Sequence, residues 1–210
     1  MALPTLPPRV AQPQRPPLPT ATTSATLPDA ARDLVLTAPM LLFAHGILVW
    51  LDDLGQHGRS GVIWFLAQAA LIASAFSFVG LAAGLRHVTA TTAPRGRRGA
   101  AAGALLAAIV GTGLTTWVAL VRGVGGGAAT AGAPQWLLAG GPVLLVTALV
   151  ALIALAVPTL RLPRRSLALA ATGAALLATP FDLIPLAGLV ILLALEPLLG
   201  SGPAPGDVDR

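Results

Sequence analysis

The sequence predicts an all-α fold, a polytopic integral membrane helix bundle of about five transmembrane helices, and three observations carry that expectation. Only 10% of the 210 residues are charged, against about 25% in an ordinary soluble domain. Hydrophobic residues make up 55% of the chain and its mean hydropathy is +0.81. So few polar side chains cannot cover a globule of this size with surface that water tolerates, so lipid is the expected solvent. The apolar residues are also gathered into separate runs, each near the length of about 20 helical residues that crosses a hydrocarbon core.

Residues 1–28 are rich in Pro, Thr, Ala and Gln, with paired prolines at Pro7–Pro8 and Pro16–Pro17. Proline lacks an amide donor and fixes its own φ, so this stretch favours extended or polyproline conformations over packing. A disordered, proline-rich cytoplasmic tail is expected, and the absence of an apolar signal-peptide run predicts no secretory cleavage. A transmembrane domain is expected over 29–199, and a short disordered tail over 200–210.

Asp29 precedes the first apolar run and is expected to cap its helix. That run, Leu34–Leu51, contains Pro39 and Gly46 and ends at the pair Asp52 and Asp53. The next spans are expected at Val62–Leu85, Ala100–Val121 and Trp136–Val157. The last stretch, Ser166–Leu199, is interrupted by TPFDLIP at Thr179–Pro185. As one helix it would reach about 50 Å, too long for a single crossing of a core about 30 Å thick. Two arrangements remain: one broken fifth span, or a hairpin of two half-helices making six segments and returning the C-terminus to the side of the N-terminus.

All thirteen basic residues are arginines. Arg9, Arg15 and Arg32 precede the first span, Arg86, Arg95, Arg97 and Arg98 fall between the second and third, and Arg161, Arg164 and Arg165 between the fourth and fifth. The alternate loops hold only Arg59 and Arg122. Basic residues accumulate on the cytoplasmic side, so the N-terminus and the arginine-rich loops are expected in the cytoplasm of a bacterial-type inner membrane. Trp50, Trp64, Trp117 and Trp136 flank the other loops, where an indole buries its ring at the interface and still hydrogen-bonds. The net charge of +5 is accounted for by this distribution, and no nucleic-acid partner is expected.

Helices in lipid associate where small residues let backbones approach. Gly80 and Gly84 form such a pair on the second span, and Gly99, Gly103, Ala107, Gly111 and Thr115 recur at every fourth position along the third. Packing inside one bundle is the first expectation for them. A homo-oligomer or a membrane-protein partner is the second.

Ionisable groups inside a span are costly and mark candidate sites. His45, in the middle of the first run, and Asp182, in the break of the last, form the candidate intramembrane polar site, as a proton-holding pair. The plainer expectation is that His45 bonds a neighbouring carbonyl and Asp182 caps the helix that restarts after Pro180. Glu196 is expected at an interface, and Gln68 and Thr147 as links between helices. There is no HExxH, GxSxG or Walker A sequence, and Gly123–Gly127 lacks the lysine of a phosphate loop. With no cysteine, thiolate chemistry and disulfides are excluded. His57 and His87 fall in or beside loops on opposite sides, which does not suit paired haem ligation. No enzyme activity, cofactor or metal is expected.

The run Pro180-Phe181-Asp182-Leu183-Ile184-Pro185, followed by Gly188, resembles the P-x-D-L-I-P-D core of a small bacterial domain family of unknown function. Leu186 stands where that pattern has its second acid, and the later acidic pair is missing. The resemblance covers under a dozen residues and implies no activity. The expected function is therefore that of a non-enzymatic structural or accessory membrane component, with a small oligomeric transporter or channel subunit using the broken last helix as the alternative.

Overall fold

The computed structural model describes residues 27–55, 61–125, 132, 134–160, 162–179 and 183–200. The two expected tails therefore lie almost wholly outside the described residues, as do Asp182, His57, Arg59 and the side chain of Trp136. Among the described residues there are six helices: α1 (Asp29–Leu54), α2 (Val62–Thr92), α3 (Arg95–Gly125), α4 (Gln135–Leu160), α5 (Arg164–Ala178) and α6 (Ile184–Leu199). Four of them, α1 to α4, are long and apolar enough to cross a membrane.

These helices run past the apolar windows that announce them. Helices α2 and α3 have 31 residues each, about 46 Å of helix, which matches a bilayer with its headgroup layers better than the hydrocarbon alone. Hydropathy marks only the part immersed in hydrocarbon. Chain chemistry sets the ends. Ala93 adopts extended backbone before Pro94, since proline disfavours the helical region for its predecessor. Gly61 opens α2 at φ 95°, in the left-handed region that a side chain would resist. Asp29 is not a cap: α1 begins at that residue, and the capping position is Pro28 with no side-chain hydrogen bond. In the first turn Asp29 instead places an acid where the helix dipole favours one.

Consecutive helices are antiparallel. The Ser74 hydroxyl donates to the Ala38 carbonyl at 2.8 Å, tying α2 to α1, and Thr112 reaches Ala75 from α3 at 3.4 Å. Helix α5 ends at Thr179, extended ahead of Pro180, and α6 restarts with Pro185 in its first turn, the position that proline suits best. The two half-helices fold back on each other, with Gly173 of α5 against Ile191 of α6. Of the two arrangements open to the last segment, the hairpin is the one formed. At about 22 and 24 Å, α5 and α6 with 15 and 16 residues fall short of a full crossing. Pro185, in the first turn of α6, lies against the α-carbon of Gly46 in α1. The foot returns to the start of α1, where Arg32 Nη2 donates to the Leu199 carbonyl at 3.0 Å.

The six helices close a ring in sequence order, α6 meeting α1, while α2 and α4 touch across the middle. Most of the packed core lies in the half of the bundle that contains the hairpin: Val35, Leu81, Leu85, Leu152, Leu195 and Leu198 are all buried there. That end also holds Arg32, Arg86, Arg95, Arg97, Arg98, Arg164 and Arg165. Several of these bond carbonyls in the last turns of helices: Arg97 to Leu155 at 2.9 Å and Arg98 to Ala93 at 2.7 Å. A cation there also opposes the negative end of the helix dipole.

At the opposite end Trp50 and Trp117 are about half exposed, as interfacial anchors are, but Trp64 is only 4% exposed. It lies inside the bundle with Val49 and Ala67, and its Nε1–H donates to the Arg122 carbonyl at 2.9 Å. Trp64 thus ties α2 to α3 instead of anchoring the chain in the headgroups. Trp64→Phe keeps the packing and removes the bond, so unfolding in mild detergent should become easier by about 1 kcal/mol. An unchanged midpoint would show that water or a lipid headgroup replaces the bond.

Candidate functional site

A cavity of about 400 Å³ lies among α1 to α4, next to the end of α5 and the start of α6. Leu42 and His45 of α1 line it, facing Leu71, Ser74, Ala75 and Phe78 of α2. Helix α4 contributes Leu138, Pro142, Leu145 and Val146. Thr115 and Arg122 come from α3, and Leu177, Thr179 and Ile184 from the end of α5 and the start of α6. Its size lies within the range of about 300–1,000 Å³ typical of small-molecule sites.

His45 is 5% exposed, and its Nδ1 lies 2.8 Å from the Ala67 carbonyl. A carbonyl only accepts, so Nδ1 carries the hydrogen, which fixes the ring across the α1–α2 seam. The hydroxyls around the cavity are also engaged. Ser74 donates to Ala38, Thr115 to Gly111 at 2.8 Å and Thr179 to Leu176 at 2.6 Å. Their oxygens still accept hydrogen bonds, but their protons are in use. Among the described lining residues there is one cation, Arg122, and no carboxylate. The arrangement suits a mostly apolar guest with one polar end.

The pairing of His45 with Asp182 falls outside the described residues on the aspartate side. Its flanks, Thr179 and Ile184, line the same cavity as His45. The capping position of α6 is Leu183, and the expected capping role of Asp182 lies outside the described residues. Glu196 is exposed near the end of α6, Thr147 is exposed, and Gln68 is buried beside Gly123 of α3. His87 is exposed at the arginine-rich end of α2.

The small residues divide into two groups. A β-carbon on Gly80 would lie 2.5 Å from Leu34, and one on Gly84 2.5 Å from Ala31, so both meet α1 closely. One on Gly111 would lie 2.6 Å from the Leu145 nitrogen in α4. Gly99 and Gly103 face nothing within 4 Å. At 3.6 residues per turn an every-fourth repeat drifts about 40° per step, so five positions do not form one flat strip. The first two turn outward, while Gly111 and Thr115 meet α4.

Several residues escaped the sequence reading. Gly141 approaches Thr115 in return for Gly111, and Gly46 and Gly188 seat α6 on α1. Asp52 is 1% exposed, and neither carboxylate oxygen has a hydrogen-bond partner among the described residues. Its signal was available. The buried residues Ala31, Val35, Ala38, Leu42, His45, Val49 and Asp52 alternate steps of four and three, so both ionisable groups continue the inward stripe.

Comparison with models of known protein families, with curated proteins and with solved structures finds no match.

Proposed function

We propose that this chain is a multi-pass protein of a bacterial inner membrane, with a cytoplasmic N-terminus, that acts without catalysis as a small carrier or accessory component. Its task in this reading is to hold a small, mainly apolar molecule in the cavity beside the α5–α6 hairpin. The cavity carries the reading: it combines a mainly apolar lining with His45 and Arg122 at mid-bundle and beyond, beside a broken helix of the kind that forms midplane sites in transporters. The clustering of arginines at one end supports the orientation.

A single cysteine at Leu71, in this naturally cysteine-free chain, tests it. Leu71→Cys should react with N-ethylmaleimide, a small reagent of mixed polarity, while Leu81→Cys in the dense core should not. Equal inertness at both positions would remove the binding cavity and with it this reading.

A second reading, a structural component that associates through small-residue faces, is favoured by the outward-facing Gly99 and Gly103. It predicts an oligomer in mild detergent that dissociates when Gly103 is replaced by leucine. A monomer before and after that change counts against it.

A further inference from the structure

Helix α4 contains Pro142 within its apolar run. Proline has no amide hydrogen, so the carbonyl four residues earlier, that of Leu138, receives no bond from its own helix at that place. Residues four apart share a helix face, and Leu138 and Pro142 both line the cavity. The freed carbonyl therefore lies in the cavity wall, with a pyrrolidine ring where a helical amide would otherwise stand. In a membrane-spanning helix such a carbonyl is answered by a neighbouring helix, a hydroxyl or a water.

The described lining has no side-chain donor to spare for it. Thr115 meets this part of α4 at Gly141, but its proton goes to the Gly111 carbonyl at 2.8 Å. Ser74 donates to Ala38 and Thr179 to Leu176. His45 holds the Ala67 carbonyl through Nδ1, and His45 and Arg122 each have a further interaction. Acceptors are what remain. A hydroxyl oxygen that donates its proton keeps its lone pairs, so Ser74, Thr115 and Thr179 add acceptors to the carbonyl of Leu138. A guest whose polar end only accepts would bury that end without a partner, at a cost. A cationic guest would enter a site already lined by the guanidinium of Arg122, and like charges repel strongly where water is scarce. A neutral hydroxyl meets neither objection.

Resting on the carrier reading, we propose that the occupant is a neutral, mainly apolar alcohol or phenol whose hydroxyl donates to the Leu138 carbonyl freed by Pro142. The proline then sets the chemistry of the ligand by taking an amide out of the wall, with no side chain added to it.

The test uses the full-length Leu71→Cys protein in bilayers, with the rate of N-ethylmaleimide labelling as the readout. Naphthol and its methyl ether share one apolar frame, and only naphthol can donate. They are compared at equal concentration in the bilayer, set by their partitioning into protein-free vesicles. Naphthol should halve the labelling rate at about fivefold lower concentration than the ether, the factor expected of one hydrogen bond. Adding Pro142→Ala gives the Leu138 carbonyl a helical amide and exchanges a poor helix former for the best one, so the fold is not put at risk. The preference should then fall below about twofold, with protection by the ether unchanged. Pro158→Ala, at the other proline of α4, should leave the preference as it was.

Equal protection by the two compounds, or better protection by the ether, would overturn the proposal and leave the carrier reading standing. A preference that survives Pro142→Ala would overturn the role of the Leu138 carbonyl, and the proposal with it. If Leu71→Cys is labelled and neither compound slows the reaction, the proposal falls. If Leu71→Cys is inert, the carrier reading falls as well.

Discussion

Replacing Gly111 with valine should destabilise the protein more than any other single substitution on α3, by at least about 3 kcal/mol, the upper end of the usual cost of overpacking. A β-carbon there would sit 2.6 Å from the Leu145 nitrogen and 2.9 Å from the Gly141 carbonyl oxygen. These are backbone atoms, which no rotamer change can move aside. The approach is reciprocal, since a β-carbon on Gly141 would lie 2.6 Å from the Thr115 nitrogen. Gly141→Val should therefore cost a similar amount, and the double variant should cost less than the sum, because once α3 and α4 have separated the second side chain meets no new obstacle. Gly103→Val supplies the control: it has nothing within 4 Å and should shift unfolding by no more than about 0.5 kcal/mol, as exposed substitutions do. The measurement is the unfolding midpoint in a mixed-micelle denaturant titration of the three variants. Equal effects at positions 103 and 111 would mean that the α3–α4 seam is not where the helices approach most closely.

The same pair of glycines shows what the sequence could and could not reveal. Hydropathy located α1 to α4, because about 20 consecutive apolar residues have few other uses in a chain this poor in charge. Proline located the break: Thr179 is extended where the sequence continues with a proline, and Pro185 stands in the first turn of α6. Neither signal chose between a broken span and a hairpin, because that choice depends on what α6 meets. Gly46, Gly173 and Gly188 decide it by letting α6 lie close against α1 and α5. In a chain with 23 glycines, small residues at helical spacing arise too often for the contacting ones to be picked out by pattern. The every-fourth stripe on α3 failed as a single face for a geometric reason, the drift of about 40° per step. The cavity was also illegible, since it results from a hairpin shorter than its neighbours and not from any motif. His45 was found by its chemistry and Asp52 missed by its position at the end of an apolar run, although both occupy the same alternating stripe.

Asp52→Ala should stabilise the protein, by about 1–3 kcal/mol, the range by which an unsatisfied buried polar group costs a fold. The carboxyl is buried at 1% exposure, one turn beyond Val49 on the inward face of α1, and its oxygens have no hydrogen-bond partner among the described residues. Asp53, its neighbour, is exposed and serves as the comparison: Asp53→Ala should change stability by less than about 0.5 kcal/mol. Asp52→Asn should change little, because the amide inherits the same unpartnered place, so the expected order of stability is alanine above asparagine and aspartate together. The reverse order would show that a cation or a hydrogen-bond donor outside the described residues holds the carboxylate, and repeating the unfolding at several sodium concentrations would separate the two. The stabilising outcome carries the stronger consequence. Alanine is the better helix former and lies one base change from aspartate, so a buried acid with no partner among the described residues, one turn beyond Val49, would be kept at the expense of stability. Residues kept on those terms are the ones a protein needs for its function.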